Sequence, residues 1–176
     1  MADPRPIPCE SVLPNQWYPC LRVKKLGRKP VVITRLGHRL VLWRAQGEVH
    51  CFLDRCPHRG VSFERGTLVG DELQCAFHGF RFKTDGGCVA MPCEGAECSI
   101  PKKMRLSPGF EATEAYGLIW LWSGPGEAVG RPPWIDNVGQ QVNWTRTAEI
   151  DQVWPNNAVR LTESFFDLHH VHWVHR

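Results

Sequence analysis

The chain has 176 residues, 43% of them hydrophobic, and a formal net charge of +3 with both signs interspersed. That length holds one large domain, or one domain and part of another, at about 100–200 residues each. The apolar content excludes wholesale disorder, and the mild charge argues against a nucleic-acid or anionic-membrane partner.

The first ten residues, MADPRPIPCE, hold two acids and three prolines where the apolar core of an export signal would lie. No stretch approaches the about 20 apolar residues that span a bilayer, so a soluble, cytoplasmic protein is expected. Eight cysteines in such a chain suggest metal or redox chemistry before disulfides. Four of the eight histidines lie in the last eight residues.

Residues 1–14 read as an N-terminal extension. From Val31 the pattern predicts a β-meander: PVVITRL, a turn at Gly37-His38, RLVLWR, a turn at Ala45-Gln46-Gly47, and EVHCFLD. DELQC, FRFKT and GCVAM continue it, with Asp85-Gly86-Gly87 as a tight hairpin turn. GLIWLW, at 117–122, predicts a central apolar strand. Residues 15–123 therefore read as an all-β domain. The Gly- and Pro-rich stretch Ser123–Trp134 marks a break, and residues 124–141 read as a linker. Beyond it, VNWTRTAEID predicts a strand. Asn156 to His175 holds no Gly or Pro and predicts a helix, with Pro155 in its first turn.

Within the β region, Cys56-Pro57-His58 is followed after sixteen residues by Cys75-Ala76-Phe77-His78. Two Cys and two His suit tetrahedral zinc or a [2Fe–2S] cluster. Zinc fingers keep like ligands together, whereas each pair here mixes one Cys with one His. Two similar loops, each giving a thiolate and an imidazole, fit a cluster with inequivalent irons, one taking both thiolates and the other both imidazoles. Gly60 and Gly79 lie just past the histidines, where backbone N–H groups can turn toward sulfur, and Arg59 adds positive charge. Cys88, Cys93 and Cys98 recur every five residues, a spacing that invites a second metal site; buried thiols are the plainer reading of these and of Cys9, Cys20 and Cys51.

Asp54-Arg55-Cys56-Pro57-His58-Arg59-Gly60 and Cys75-Ala76-Phe77-His78-Gly79-Phe80 resemble the two cluster loops of Rieske proteins. They are most similar to those of Rieske non-haem iron oxygenases, the aromatic-ring-hydroxylating dioxygenase α subunits. The resemblance runs from about Trp17 to Trp122. It implies an antiparallel β-sandwich over 15–123 with Cys56, His58, Cys75 and His78 as cluster ligands. Where the oxygenases commonly have Pro-Tyr and Trp, this chain has Ala76, Phe77 and Phe80. The extra cysteines and the serine of respiratory Rieske proteins fall at Val61, Phe77 and Phe80. Fewer hydrogen bonds to sulfur then imply a potential low in the Rieske range of about −150 to +300 mV.

The tail reads Glu163-Ser-Phe-Phe-Asp167-Leu-His169-His170-Val-His172-Trp-Val-His175. Two His and one carboxylate are the ligands of mononuclear non-haem iron. Spacing alone does not choose among the histidines, because His170 and His175 share a metal only if the helix is broken or bulged between them. By resemblance to the catalytic helix of Rieske oxygenases, His170 and His175 are ligands of mononuclear Fe(II). Asp167 is then the electron bridge, hydrogen-bonded to an iron-ligating histidine and to a cluster histidine of a neighbouring subunit. Glu163 stands near the iron.

The same resemblance makes 142–176 the beginning of an α+β helix-grip catalytic domain whose third, carboxylate ligand and substrate pocket lie further on. The chain reads as the N-terminal part of an oxygenase subunit, short of the residues needed for hydroxylation. Implied partners are a reductase, with or without a ferredoxin, carrying electrons from NAD(P)H. An organic substrate and O2 complete the set, in a homotrimer at full length. The rival expectation is a Rieske ferredoxin-like electron carrier, which leaves Asp167, His170 and His175 unexplained.

Overall fold

The computed structural model describes residues 6, 12–95, 98–133, 155–167, 169–170 and 174. The chain divides into two compact units, Met1–Gly139 and Gln140–Arg176.

Among the described residues the first unit holds ten strands: β1 (Trp17–Arg22), β2 (Val31–Arg35), β3 (His38–Ala45), β4 (Glu48–Leu53), β5 (Thr67–Val69), β6 (Glu72–Gln74), β7 (Arg81–Phe82), β8 (Cys88–Ala90), β9 (Ala112–Ala115) and β10 (Leu118–Trp122). They form three antiparallel sheets, ordered β1-β10-β9, β2-β3-β4 and β5-β6-β7-β8. The predicted meander strands are all present, and β10 is central in its sheet, as its apolar run requires. The first turn falls one residue earlier than predicted. Leu36 and Gly37 both take positive φ, as do Gln46 and Gly47, the backbone that two-residue hairpins need to match strand twist. Strand β1 pairs with β10, and this long-range pairing is not announced by any local signal.

Strand β3 explains the layering. Its side chains alternate between two cores, and both faces are buried. Leu40 and Leu42 join Cys51 of β4, Cys20 of β1 and Ile119 and Leu121 of β10. Val41, Trp43 and Ala45 face the other way, onto Leu73, Phe82, Phe63 and Phe80. The β2-β3-β4 sheet is thus a shared wall, which is why RLVLWR reads as a continuous apolar run instead of an alternation. Trp43 is fully buried, and its indole N–H donates to the Asp71 carbonyl at 3.2 Å.

The second unit includes the helix α1 (Ala158–Phe166), and His169, His170 and Val174 beyond it are also helical. The Asn157 side chain accepts from the Val159 N–H at 2.9 Å and caps it. Pro155 therefore lies upstream of the cap, not in the first turn. The helix predicted to run to His175 is interrupted at Asp167, whose Oδ1 accepts from the His169 N–H at 3.1 Å, and the described residues His169, His170 and Val174 are helical again. A short acceptor side chain competing for backbone N–H groups is a standard reason for a helix to end. The predicted strand VNWTRTAEID lies outside the described residues. No helix among the described residues is long and apolar enough to cross a membrane.

Candidate metal centre

Two loops leave the sheets at the Trp43 side of the wall, and they share one backbone frame. In the first, the Cys56 N–H donates to Val61 O at 2.9 Å and the Gly60 N–H to Cys56 O at 2.8 Å. In the second, the Cys75 N–H donates to Phe80 O at 2.9 Å and the Gly79 N–H to Cys75 O at 3.0 Å. Each cysteine is followed four residues later by a glycine with positive φ, +72° at Gly60 and +73° at Gly79. That conformation is strained for any residue with a Cβ. A Cβ at Gly79 would meet Pro92 only at ordinary contact, 3.5 Å away, and one at Gly60 would approach the flexible Arg55 side chain at 3.3 Å, so the backbone conformation is what calls for glycine.

The frame brings like ligands together across the loops. Cys56 and Cys75 are 3% and 2% exposed, inside the aromatic core with Phe63, Phe80 and Phe82. The two thiols are neighbours, close enough for each to act on the other's ionisation. Burial pushes the Cys56 thiol up to about 12; the backbone N–H groups of His58 and Arg59 pull it down, and the neighbouring Cys75 adds to the rise. Those N–H groups are the inward-turned donors that the glycine-flanked motif predicts. Opposite the thiols, the His58 and His78 rings lie 4.6 Å apart between centroids, and both are half-buried. Phe80 stacks on His58 at 4.6 Å with the planes 3° apart, and Phe77 meets His78 edge-on at 4.2 Å. The Phe residues that depart from the family pattern are thus the supports of the two imidazoles.

One atom tests whether a metal centre fits. His58 Nδ1 is buried with no hydrogen-bond partner among the described residues. An unsatisfied buried nitrogen costs about 1–3 kcal/mol, and a metal ion bound there would remove that cost. Among the described residues no group of three or more His, Cys, Asp or Glu is placed to hold a single ion. A two-iron cluster asks for something different: two protein ligands on each iron, the thiol pair on one and the imidazole pair on the other. The residues present fit that group.

The comparisons with known proteins agree. Residues 16–107, just over half of the chain, match the Rieske [2Fe-2S] domain. The chain belongs to that family. Its cofactor is therefore a [2Fe–2S] cluster. It is 34% identical over 164 residues to the oxygenase component of dicamba O-demethylase from Stenotrophomonas maltophilia, covering 92% of this chain and 47% of that protein. It is 30% identical over 127 residues to the chloroplastic protein TIC 55 of Arabidopsis thaliana, covering 70% of this chain and 23% of that protein. A crystal structure of dicamba monooxygenase with non-haem iron and dicamba superposes with a TM-score of 0.58 at 34% identity, over 67% of this chain and 35% of that one. The chain thus spans less than half the length of these relatives.

The other predicted residues are placed as follows. Asp167 Oδ2 lies 3.7 Å from His170 Nδ1, an ion-pair separation beyond hydrogen-bond reach. Glu163 is paired with Arg160 at 2.9 Å. The break at Asp167 precedes His170, which is helical, and His172 and His175 lie outside the described residues. Of the remaining cysteines, Cys20 and Cys51 are buried, Cys88 and Cys98 half-buried and Cys93 exposed, which corrects the reading of all as buried thiols. Cys9 lies outside the described residues. Sequence reasoning gave no role to Asp54, a buried carboxylate two residues before Cys56.

Proposed function

We propose that this chain is a portion of a Rieske oxygenase component in which Cys56 and Cys75 hold one iron of the [2Fe–2S] cluster and His58 and His78 the other. What carries the reading is the matched pair of loops, with two buried thiols together, two imidazoles together and an orphaned Nδ1 on one of them. When bound, such a cluster takes up and passes on single electrons at a potential raised by its neutral imidazoles. The buried thiols and the aromatic core keep water from one side. The half-buried imidazoles, with exposed Phe77 and Arg59 beside them, form the side from which an electron leaves.

The rest of the reading follows the relatives' printed activities. His170 and His175 hold a mononuclear Fe(II), and Asp167, 3.7 Å from His170, links it to a cluster imidazole of a neighbouring subunit. The Rieske domain occupies 15–123, residues 124–141 link it onward, and the catalytic domain begins at 142. A reductase or ferredoxin supplies electrons from NAD(P)H, an organic substrate and O2 are consumed, and the full-length protein is a cytoplasmic homotrimer. The test is anaerobic purification with iron and sulfide analysis and electron paramagnetic resonance after dithionite. A rhombic signal is expected, with about three irons per chain in the full-length protein. About two irons would favour an electron carrier, and a colourless protein without signal would overturn the cluster assignment.

A further inference from the structure

The first loop is fastened by a side chain. The second loop springs from β6 and returns into β7, and ladder pairs Leu73–Phe82 and Gln74–Arg81 close its base. The first leaves β4 at Leu53 and runs into irregular backbone, with no strand to close it. At its base lies Asp54, whose side chain is fully buried. Its Oδ2 accepts from Arg39 Nε and Nη2 at 3.2 and 3.1 Å and from the Ser62 hydroxyl at 2.7 Å. Its Oδ1 accepts from the Phe63 N–H at 2.7 Å. One carboxylate therefore ties the start of the loop, residue 54, to its end, residues 62 and 63, with Cys56 and His58 between. Phe63 is fully buried in the core that holds Cys56 and Cys75, so the tie anchors the loop to the floor of the site.

Burying a charge is costly unless it is paired and fully hydrogen-bonded. The strand at Arg39 supplies the pairing: Arg39 also lies 3.7 Å from Glu64, and its carbonyl accepts the Asp54 N–H at 3.0 Å. Arg39 is 56% exposed, so solvent screens its charge more than that of Asp54. The carboxylate thus leaves net negative potential beside the cluster, which opposes the added electron.

We propose that Asp54 is a positioning residue that replaces the missing ladder of the first cluster loop and, with Arg39, biases the reduction potential of the centre. This rests on the cluster reading above. The experiment uses the purified holoprotein, comparing wild type with Asp54→Asn, Arg39→Gln and Ser62→Ala by potentiometric titration at low salt and by the rate of iron loss to a ferrous chelator. Asp54→Asn is expected to raise the potential and Arg39→Gln to lower it. Asp54→Asn and Ser62→Ala are expected to release iron about tenfold faster, as loss of charge-assisted hydrogen bonds implies. A merely structural pair would not shift the potential in opposite directions from its two ends. If Asp54→Asn does not fold, a lowered potential in Arg39→Gln with faster release from Ser62→Ala supports the assignment. Potentials unmoved, or moved the same way in the two charge variants, would overturn it. A wild type without the rhombic signal would instead overturn the cluster reading itself.

Discussion

Two pairs of buried cysteines sit on opposite faces of the same sheet, and only one pair has the surroundings of a metal centre. Cys20 and Cys51 lie among aliphatic side chains in the β1-β10 core. Cys56 and Cys75 lie among Phe63, Phe80 and Phe82 in the other. Burial is the leading cause that pushes Cys20, Cys51 and Cys56 alike up to about 12. Burial and acidity therefore do not separate a ligand from a core thiol. Companions do: two histidines and paired turns with positive-φ glycines.

The sharpest way to break this contrast is to remove one sulfur from each core. Cys56→Ser or Cys75→Ser is expected to abolish the iron–sulfur absorption, whereas Cys51→Ser keeps it; equal losses would mean the pairs are not functionally distinct. The next effect is alkaline. Cys20 and Cys51 have folded values near 12 against an ordinary 9.0, so the unfolded chain loses these protons first as pH rises. Their contribution is complete below pH 9 and is lost as pH climbs toward 12, at about 1.4 kcal/mol per pH unit for each thiol. Denaturant titrations at pH 9, 10 and 11 should show the slope, and Cys51→Ser should flatten it.

Smaller effects sharpen the contrast from the side of the companions. Gly79→Ala meets the positive φ, and should cost about 1–2 kcal/mol and speed cluster loss. Phe80→Leu removes the ring stacked on His58 and should cost the pair about 0.5–1.5 kcal/mol beyond burial. A thermal melt of the holoprotein reads both, and the change should be smaller after the cluster is stripped.

Much of this was legible in the sequence because the signals are local. The Cys-x-His and Cys-x-x-His spacings mark both loops, and Gly37 and Gln46-Gly47 mark the hairpins around β3, the first of them read one residue late. What was missed depends on contacts between distant residues. Nothing around Asp54 indicates that Arg39, fifteen residues upstream, and Ser62, eight residues downstream, converge on it. The helix interrupted at Asp167 has residues on both sides that suit a helix, and only the Asp167–His169 contact reveals the break. The likeness of the two loop frames, despite different His spacings, also needed the backbone hydrogen bonds to be seen.

The pairing of β1 with β10 sets an order of events for the newly made chain. The hairpins of β2, β3 and β4 are sequence neighbours and can close early, whereas Gln16 meets Ser123 across 107 positions. Every residue of the aromatic core that holds the cysteine loops precedes β9 and β10. On the ribosome, then, the iron-binding half can condense while its aliphatic counterpart still lacks Ile119 and Leu121. Until those two residues emerge, β1 has no edge to join, and the amino-terminal strand is the last piece of this unit to be stitched in.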